Sequence, residues 1–514
     1  MRETMVDTAS NEKASKMAMT PGEVQKFIAS LPGDPLCAVD MVLAQINAMP
    51  DDLDPNIRFT VVSQLDEAIQ GSVKRLTQEY LRTSTQSKAH EMQLWLLAHD
   101  FWTGIADQYG ICIAVSTGSD DKNAQKLRFH LPQMISRALF AVSEGLKWKS
   151  FHYQPIPLQL WAGIGSIYLL AEKYAFAEKQ VQVYPGVGGI SSPRNEFLRS
   201  LFFHAASLNS LHVSEIELAD RLIDYLMSDF VLSREKDEKS LYWVDLGAER
   251  EPSRINNPPG DYPNLRYFTP GAAINRLQRM EQEAEGSGAI PGKISRTEKF
   301  ELQDFLNVVR HLSKQWSALP PQRQHARHRV NHNISVLPGF VNSFVIASPD
   351  FGGKAVGLPL EDWVVENVSQ GGFGAIIKQR RDDWVRVGAL LALQPEGANN
   401  WVLGMIRRVQ RATDQAIRVG IETLSKRPAS LETRTRGEAD MSLPPDVPAI
   451  WFQDDNPKEP MRFFFPAGEV RMGEVLEFDF NGRRVVVHPL KFLERGSDYD
   501  LVACKVGVAA PKKD

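Results

Sequence analysis

A multidomain α+β protein is the fold class this sequence predicts: a long helical N-terminal region, an antiparallel barrel or sandwich, then a smaller β module. Three observations carry that expectation. Apolar residues recur at helical spacing to about residue 316, and from about residue 317 the period changes to two while β-branched and aromatic residues increase. A chain of 514 residues is also too long for one hydrophobic core.

The composition is that of a globular chain. Apolar residues make up 43% and charged residues 24%, which excludes bulk disorder. The formal net charge of −4 leaves no overall footprint for nucleic acid, so none is expected as a partner. Three cysteines, Cys37, Cys112 and Cys504, lie far apart; this argues against a disulfide framework or a cysteine-based zinc site and points to a reducing cytoplasm. The opening MRETMVDTASNEKASKM lacks the apolar core of a signal peptide, so residues 1–20 read as a frayed tail. IPLQLWAGIGSIYLLA (156–171) contains Pro157 and Gln159 and runs into Glu172 and Lys173. A membrane span needs about 20 apolar residues, so this stretch reads as a buried helix and no span is expected.

Residues 21–316 form the expected helical domain. In the stretch 56–81, Phe59, Val62, Leu65, Ile69, Val73, Leu76 and Leu81 make one apolar stripe. Asp34 and the Ser192-Pro193 pair read as helix starts, a capping side chain and a proline at the first helical position. Helices of this kind fit a bundle or a short solenoid. Trp161, Gly165, Tyr168 and Ala177 follow the tetratricopeptide pattern once, which leaves a TPR-like hairpin and an ordinary packed helix both open. Residues 233–292 are mixed: SREKDEKS reads as a solvated loop and EAEGSGAIPGK as a linker. A last helix is expected over 297–316, stopped by Pro320-Pro321.

Residues 317–436 carry the expected barrel strands: RVNHNISVL, SFVIASP, WVVENV, FGAIIK, ALLALQ, WVLGMIRRVQR and AIRVGIETL. Pro444, Pro445 and Pro448 break the chain before a second β series at 445–508, with a hairpin turn at Asn481-Gly482.

No catalytic arrangement stands out: there is no Walker P-loop, nucleophile elbow or HExxH, and no enzyme is expected. His325, His328 and His332 have a metal-like spacing, but arginines lie among them and no acid or cysteine joins them, so no metal is expected. Arg323 and Arg327 are four residues apart. Two guanidiniums so placed either are solvated surface groups or converge on one anion. Asn367, Ser369 and Gly372 occupy the turn of WVVENVSQGGFGAII. They either make a plain polar turn or offer an amide, a hydroxyl and a close backbone approach to a flat ligand.

Together, in this order and flanking the first barrel strands, R-x3-R at Arg323 and Arg327 and N-x-S-x-x-G at Asn367, Ser369 and Gly372 resemble the PilZ domain family. The resemblance covers about residues 321–434, with Gly388, Gly404 and Gly420 in familiar places. It departs in a long Arg327-to-Asn367 gap and in Gln322, where many members carry another arginine. The resemblance implies a PilZ-type barrel and cyclic di-GMP as ligand. Arg323 and Arg327 would clamp phosphates and stack on guanine, Asn367 and Ser369 would hydrogen-bond a guanine or phosphate, and Gly372 would leave room for the base.

The expected function is therefore a cytoplasmic bacterial second-messenger receptor that acts by conformational change, without a cofactor, on an unidentified protein partner engaged through the helical region. One rival is a helical scaffold whose barrel has lost binding. The weaker rival is a nucleic-acid-binding barrel using Arg407, Arg408, Arg411, Arg418, Arg427, Arg434 and Arg436.

Overall fold

The computed structural model describes residues 20–83, 88–119, 121–185, 189–256, 260, 262–292, 294, 300–319, 326–348, 357–378, 384–413, 416–435, 446–453, 459–480 and 482–508. They fall into two compact units.

The first unit draws on Met1–His152, Ile156–Leu208 and Val213–Pro321. Its helices are α1 (Pro21–Ala29), α2 (Pro35–Asn47), α3 (Pro55–Thr83), α4 (Lys88–Gly118), α5 (Lys122–Arg128), α6 (Leu131–Phe151), α7 (Leu158–Lys173), α8 (Pro193–Ala205), α9 (Val213–Tyr225), α10 (Ala273–Ser287) and α11 (Leu302–Gln315). Both expected helix starts are capped. The Asp34 carboxylate accepts the Cys37 N–H at 2.8 Å, and Ser192 Oγ accepts the Asn195 N–H at 3.3 Å. The helices pack as a bundle, α4 against α3 and α6, and α6 against α8. Between α6, α8 and α9 lies a buried ionic cluster. Lys147 Nζ stands 2.9 Å from Glu144 and 3.1 Å from both Glu217 and Asp220, and Arg199 bridges Glu144 and Asp220 at 2.6 Å. Each charge there is held by the others, so loss of one leaves the rest uncompensated.

The tetratricopeptide-like residues take a different arrangement. Tyr168 stacks on Phe197 of α8 at 4.2 Å and Trp161 meets His204 edge-on at 5.0 Å, so the aromatics do fill a helix–helix gap. Gly165, however, admits no helix. A Cβ there would come within 2.2 Å of the Leu246 carbonyl, at the end of a strand. A short strand pair, β1 (Val181–Gln182) and β2 (Ile190–Ser191), also separates α7 from α8. The mixed stretch contributes a four-stranded antiparallel sheet made of β3 (Val231–Ser233), β4 (Tyr242–Asp245), β5 (Ser253–Arg254) and β6 (Leu265–Thr269), in the order β3-β6-β4-β5. Helical periodicity alone does not reveal it, because its strands are only two to five residues long.

The second unit holds the described residues of Gln322–Asp514 together with two short stretches from far upstream, Tyr153–Pro155 and Asn209–His212. Its first sheet is a closed barrel of β7 (His328–Pro338), β8 (Glu361–Ser369), β9 (Gly372–Ile377), β10 (Leu390–Pro395), β11 (Val402–Thr413) and β12 (Ala416–Ser425), in the order β10-β11-β12-β9-β8-β7. Closure leaves no unpaired sheet edge. SFVIASP, expected as a strand, instead lies largely within helix α12 (Gly339–Ile346). Its β-branched residues favour a strand, but the inward positions Phe340, Ser343, Ile346 and Ala347 recur at helical spacing, with Val341 and Val345 outward. This helix occupies part of the long gap between Arg327 and Asn367.

A second closed barrel contains β13 (Pro428–Thr435), β14 (Val447–Phe452), β15 (Met461–Pro466), β16 (Leu476–Phe480), β17 (Arg483–Arg495) and β18 (Tyr499–Val508), in the order β13-β14-β15-β18-β17-β16. Residues 428–435 therefore close the second barrel, although the sequence boundary placed them with the first. Only Lys426 and Arg427 connect the barrels, and Pro448 sits within β14, paired with Glu432. One apolar cluster runs through both, from Leu390, Leu403 and Met405 to Ile450, Phe464 and Tyr499, with Phe340 and Ile346 of α12 among them.

Candidate ligand-binding site

Two β-bulges build the site. Along β8 and β9 the register passes from Val365↔Ala375 to Asn367↔Gly374, so Glu366 is an extra residue. Along β11 and β12 it passes from Ile406↔Ile421 to Arg408↔Gly420, making Arg407 extra. Strand neighbours normally point to opposite faces, and a bulge re-aims one of them. Here Glu366 with Asn367, and Arg407 with Arg408, all line one cavity of about 320 Å³ on the first barrel.

The turn between β8 and β9 forms one end of this cavity. Ser369 pairs with Gly372 across a two-residue connection, and Ser369 Oγ donates to the Gly372 carbonyl at 3.0 Å. The Gly371 carbonyl accepts the Thr423 N–H at 3.0 Å, which ties the turn to β12. Gly372 is required by the barrel itself: a Cβ there would stand 2.0 Å from the Ile421 carbonyl oxygen. Its small size thus serves a close strand approach as well as lining the cavity. Asn367 lies across Gly374, and its Oδ1 is buried with no donor among the described residues. A buried acceptor without a partner costs stability, about 1–3 kcal/mol in general.

The walls are cationic: Arg327, Arg407, Arg408 and Arg418 line the cavity against Glu366 and Glu422. Arg418 faces Glu366 at 3.5 Å. Arg407 is held by two carboxylates, Glu422 at 2.7 Å and Glu494 of β17 at 2.6 Å. Burial works to raise the Glu494 carboxyl, but hydrogen bonding from His212 and the charge and hydrogen bond of Arg407 outweigh it and bring it down to about 2. His212 Nε2 is 3.8 Å from Glu494. The His212 ring fits only because Gly388, at φ 81°, has no side chain; a Cβ there would be 2.1 Å from Cε1. Asn209, three residues earlier, sets its amide against Arg408; guanidinium offers only donors, which assigns the amide oxygen to that side, accepting from Nη2 at 3.0 Å and Nε at 3.1 Å.

Of the five sequence-derived site residues, Arg327, Asn367, Ser369 and Gly372 line this cavity, and Arg323 lies outside the described residues. Arg407, Arg408 and Arg418 had been grouped with a nucleic-acid surface instead. Strict alternation separates Arg407 from Arg408, and nothing in the local sequence marks the bulge that unites them.

A closed six-stranded antiparallel barrel with this motif turn and arginine-lined cavity defines a PilZ-type domain. Residues 358–429 match the family described as cyclic-di-GMP receptor FimW, middle PilZ domain, and residues 23–237 match that described as cyclic-di-GMP receptor FimW, N-terminal domain. The chain belongs to the FimW family of cyclic-di-GMP receptors. The middle match includes Asn367, Ser369 and Gly372 and begins downstream of Arg327. No curated protein matches the chain.

Proposed function

We propose that this chain is itself a cyclic di-GMP receptor, which passes ligand binding on as a conformational change to a protein partner. The observation that carries the reading is the convergence of Arg327, Asn367, Ser369 and Gly372 on one cavity with an excess of arginine over glutamate. A ligand with two phosphates and two guanine faces suits such a wall, since guanidinium both pairs with phosphate and stacks on a base. In this role Arg327, with Arg323, clamps phosphate and stacks on guanine. The unpartnered Asn367 Oδ1 accepts a guanine N–H, and Ser369 adds a hydroxyl. The free thiols of Cys37, Cys112 and Cys504 fit a reducing cytoplasm.

Calorimetric titration with cyclic di-GMP tests the binding. Heat is expected with the wild type, and Arg327→Ala, Arg323→Ala and Asn367→Ala are expected to weaken affinity at least about tenfold, or 1.4 kcal/mol. A wild-type protein that gives no heat, or variants that bind as it does, would sink the reading. Solution scattering with and without saturating nucleotide tests transmission, and identical profiles would count against it.

A further inference from the structure

Arg407 and Arg408 both line the cavity. Arg407 is neutralised by two carboxylates, and drawing it toward a ligand would strand Glu494, which is largely buried. Arg408 is held on its Nε/Nη2 edge by a neutral amide, with one Asn209 oxygen serving both donors. That edge is matched to two oxygens, and a phosphate offers two with full charge. Charge-assisted bonds of this kind are roughly twice as strong as neutral ones. A phosphate in the cavity therefore competes with Asn209 for the same edge, and the competition favours the phosphate.

Asn209 belongs to the short stretch Asn209–His212, which lies with the barrels although α8 and α9 on either side of it belong to the helical unit. We propose that Arg408 is a ligand-contacting residue that Asn209 holds in reserve. Phosphate binding draws Arg408 off Asn209 and loosens the stretch that leads directly into α9. The inference rests on the receptor reading above and adds to it the residue pair through which an occupied cavity reaches the helical sequence.

The test is cyclic di-GMP titration of the full chain, with amide hydrogen exchange followed at residues 208–212. Arg408→Ala is expected to lose at least about tenfold in affinity. Asn209→Ala is expected to bind several-fold more tightly, because the competitor is gone. In the wild type, exchange at 208–212 is expected to quicken with nucleotide; in Asn209→Ala it is fast at the outset and insensitive to nucleotide. Wild-type binding that Arg408→Ala leaves unchanged overturns the proposal, as does Asn209→Ala with unaltered affinity and exchange. If Arg408→Ala fails to fold, Arg408→Lys replaces it; it keeps charge without the fork, so a several-fold loss is expected and unchanged affinity overturns the proposal. A wild type that binds no cyclic di-GMP removes the receptor reading itself, which the other outcomes leave standing.

Discussion

The amide of Asn367 rests on the bare backbone of Gly374, where a Cβ would lie 2.8 Å from Nδ2 and 3.0 Å from Oδ1. The glycine fixes the height of the amide above the sheet, and Asn367 cannot hold its position once that space is filled. Gly374→Ala is accordingly expected to weaken cyclic di-GMP binding about tenfold or more while costing about 1 kcal/mol of stability or less, because the displaced group is a side chain and not backbone. Titration and thermal unfolding of the same variant check the two halves.

Gly372 makes the opposite prediction. Its neighbour is the Ile421 carbonyl, part of the β12 backbone, which cannot step aside without breaking the ladder. Gly372→Ala is expected to destabilise the barrel by about 2 kcal/mol or more. Asn367→Ala, by contrast, removes a buried acceptor that finds no donor among the described residues, and is expected to stabilise the barrel slightly, by about 1 kcal/mol. Scanning calorimetry of the two variants decides whether this glycine serves the fold or only the ligand.

Arg407→Ala is expected to cost about 1–3 kcal/mol, since it takes a counter-charge from the largely buried Glu494 while Arg407 itself is part-exposed. The double variant with Glu494→Gln is expected to recover a substantial part of the loss. Denaturant unfolding of both variants measures that coupling.

A pH effect is expected in the helical unit. Burial pushes the Glu196 carboxyl up to about 7, against Arg199 and the Ser191 hydrogen bond, which pull it down. Because the folded value lies above the unfolded one, this group's stabilising contribution is complete below about pH 4.5 and is lost as pH rises through about 7. Relative to the wild type, Glu196→Gln is expected to gain about 3 kcal/mol between those two limits. Denaturation midpoints of both proteins across that range check it, and parallel curves would refute it.

The sequence disclosed whatever depends on local chemistry. Asp34 and Ser192 announce their helices because a cap is a contact between near neighbours. The motif turn was readable for the same reason. Features decided by distant partners were not. The small size of Gly165 and Gly372 is explained by the carbonyls of Leu246 and Ile421, 81 and 49 residues further along the chain. Ile406 to Arg408 reads as plain alternation until β12 pairs with it and forces the bulge. Pro444 and Pro445 looked like a boundary, yet β13 had already left the first barrel, a choice made by its pairing with β14 and β16. The composition of SFVIASP favoured a strand, and core-facing positions three and four apart made it a helix.

The stretch Asn209–His212 also has a consequence for synthesis. His212 completes its surroundings only when Gly388 arrives, 176 residues later, and its contact with Glu494 later still. At ribosomal rates of about 5–20 residues per second, that wait is on the order of ten seconds or longer. Through that interval α8 and α9 can assemble while the segment between them stays solvated. A chain released before Glu494 is made would leave His212 without these surroundings, so truncated products are expected to be prone to chaperone capture or proteolysis at residues 209–212.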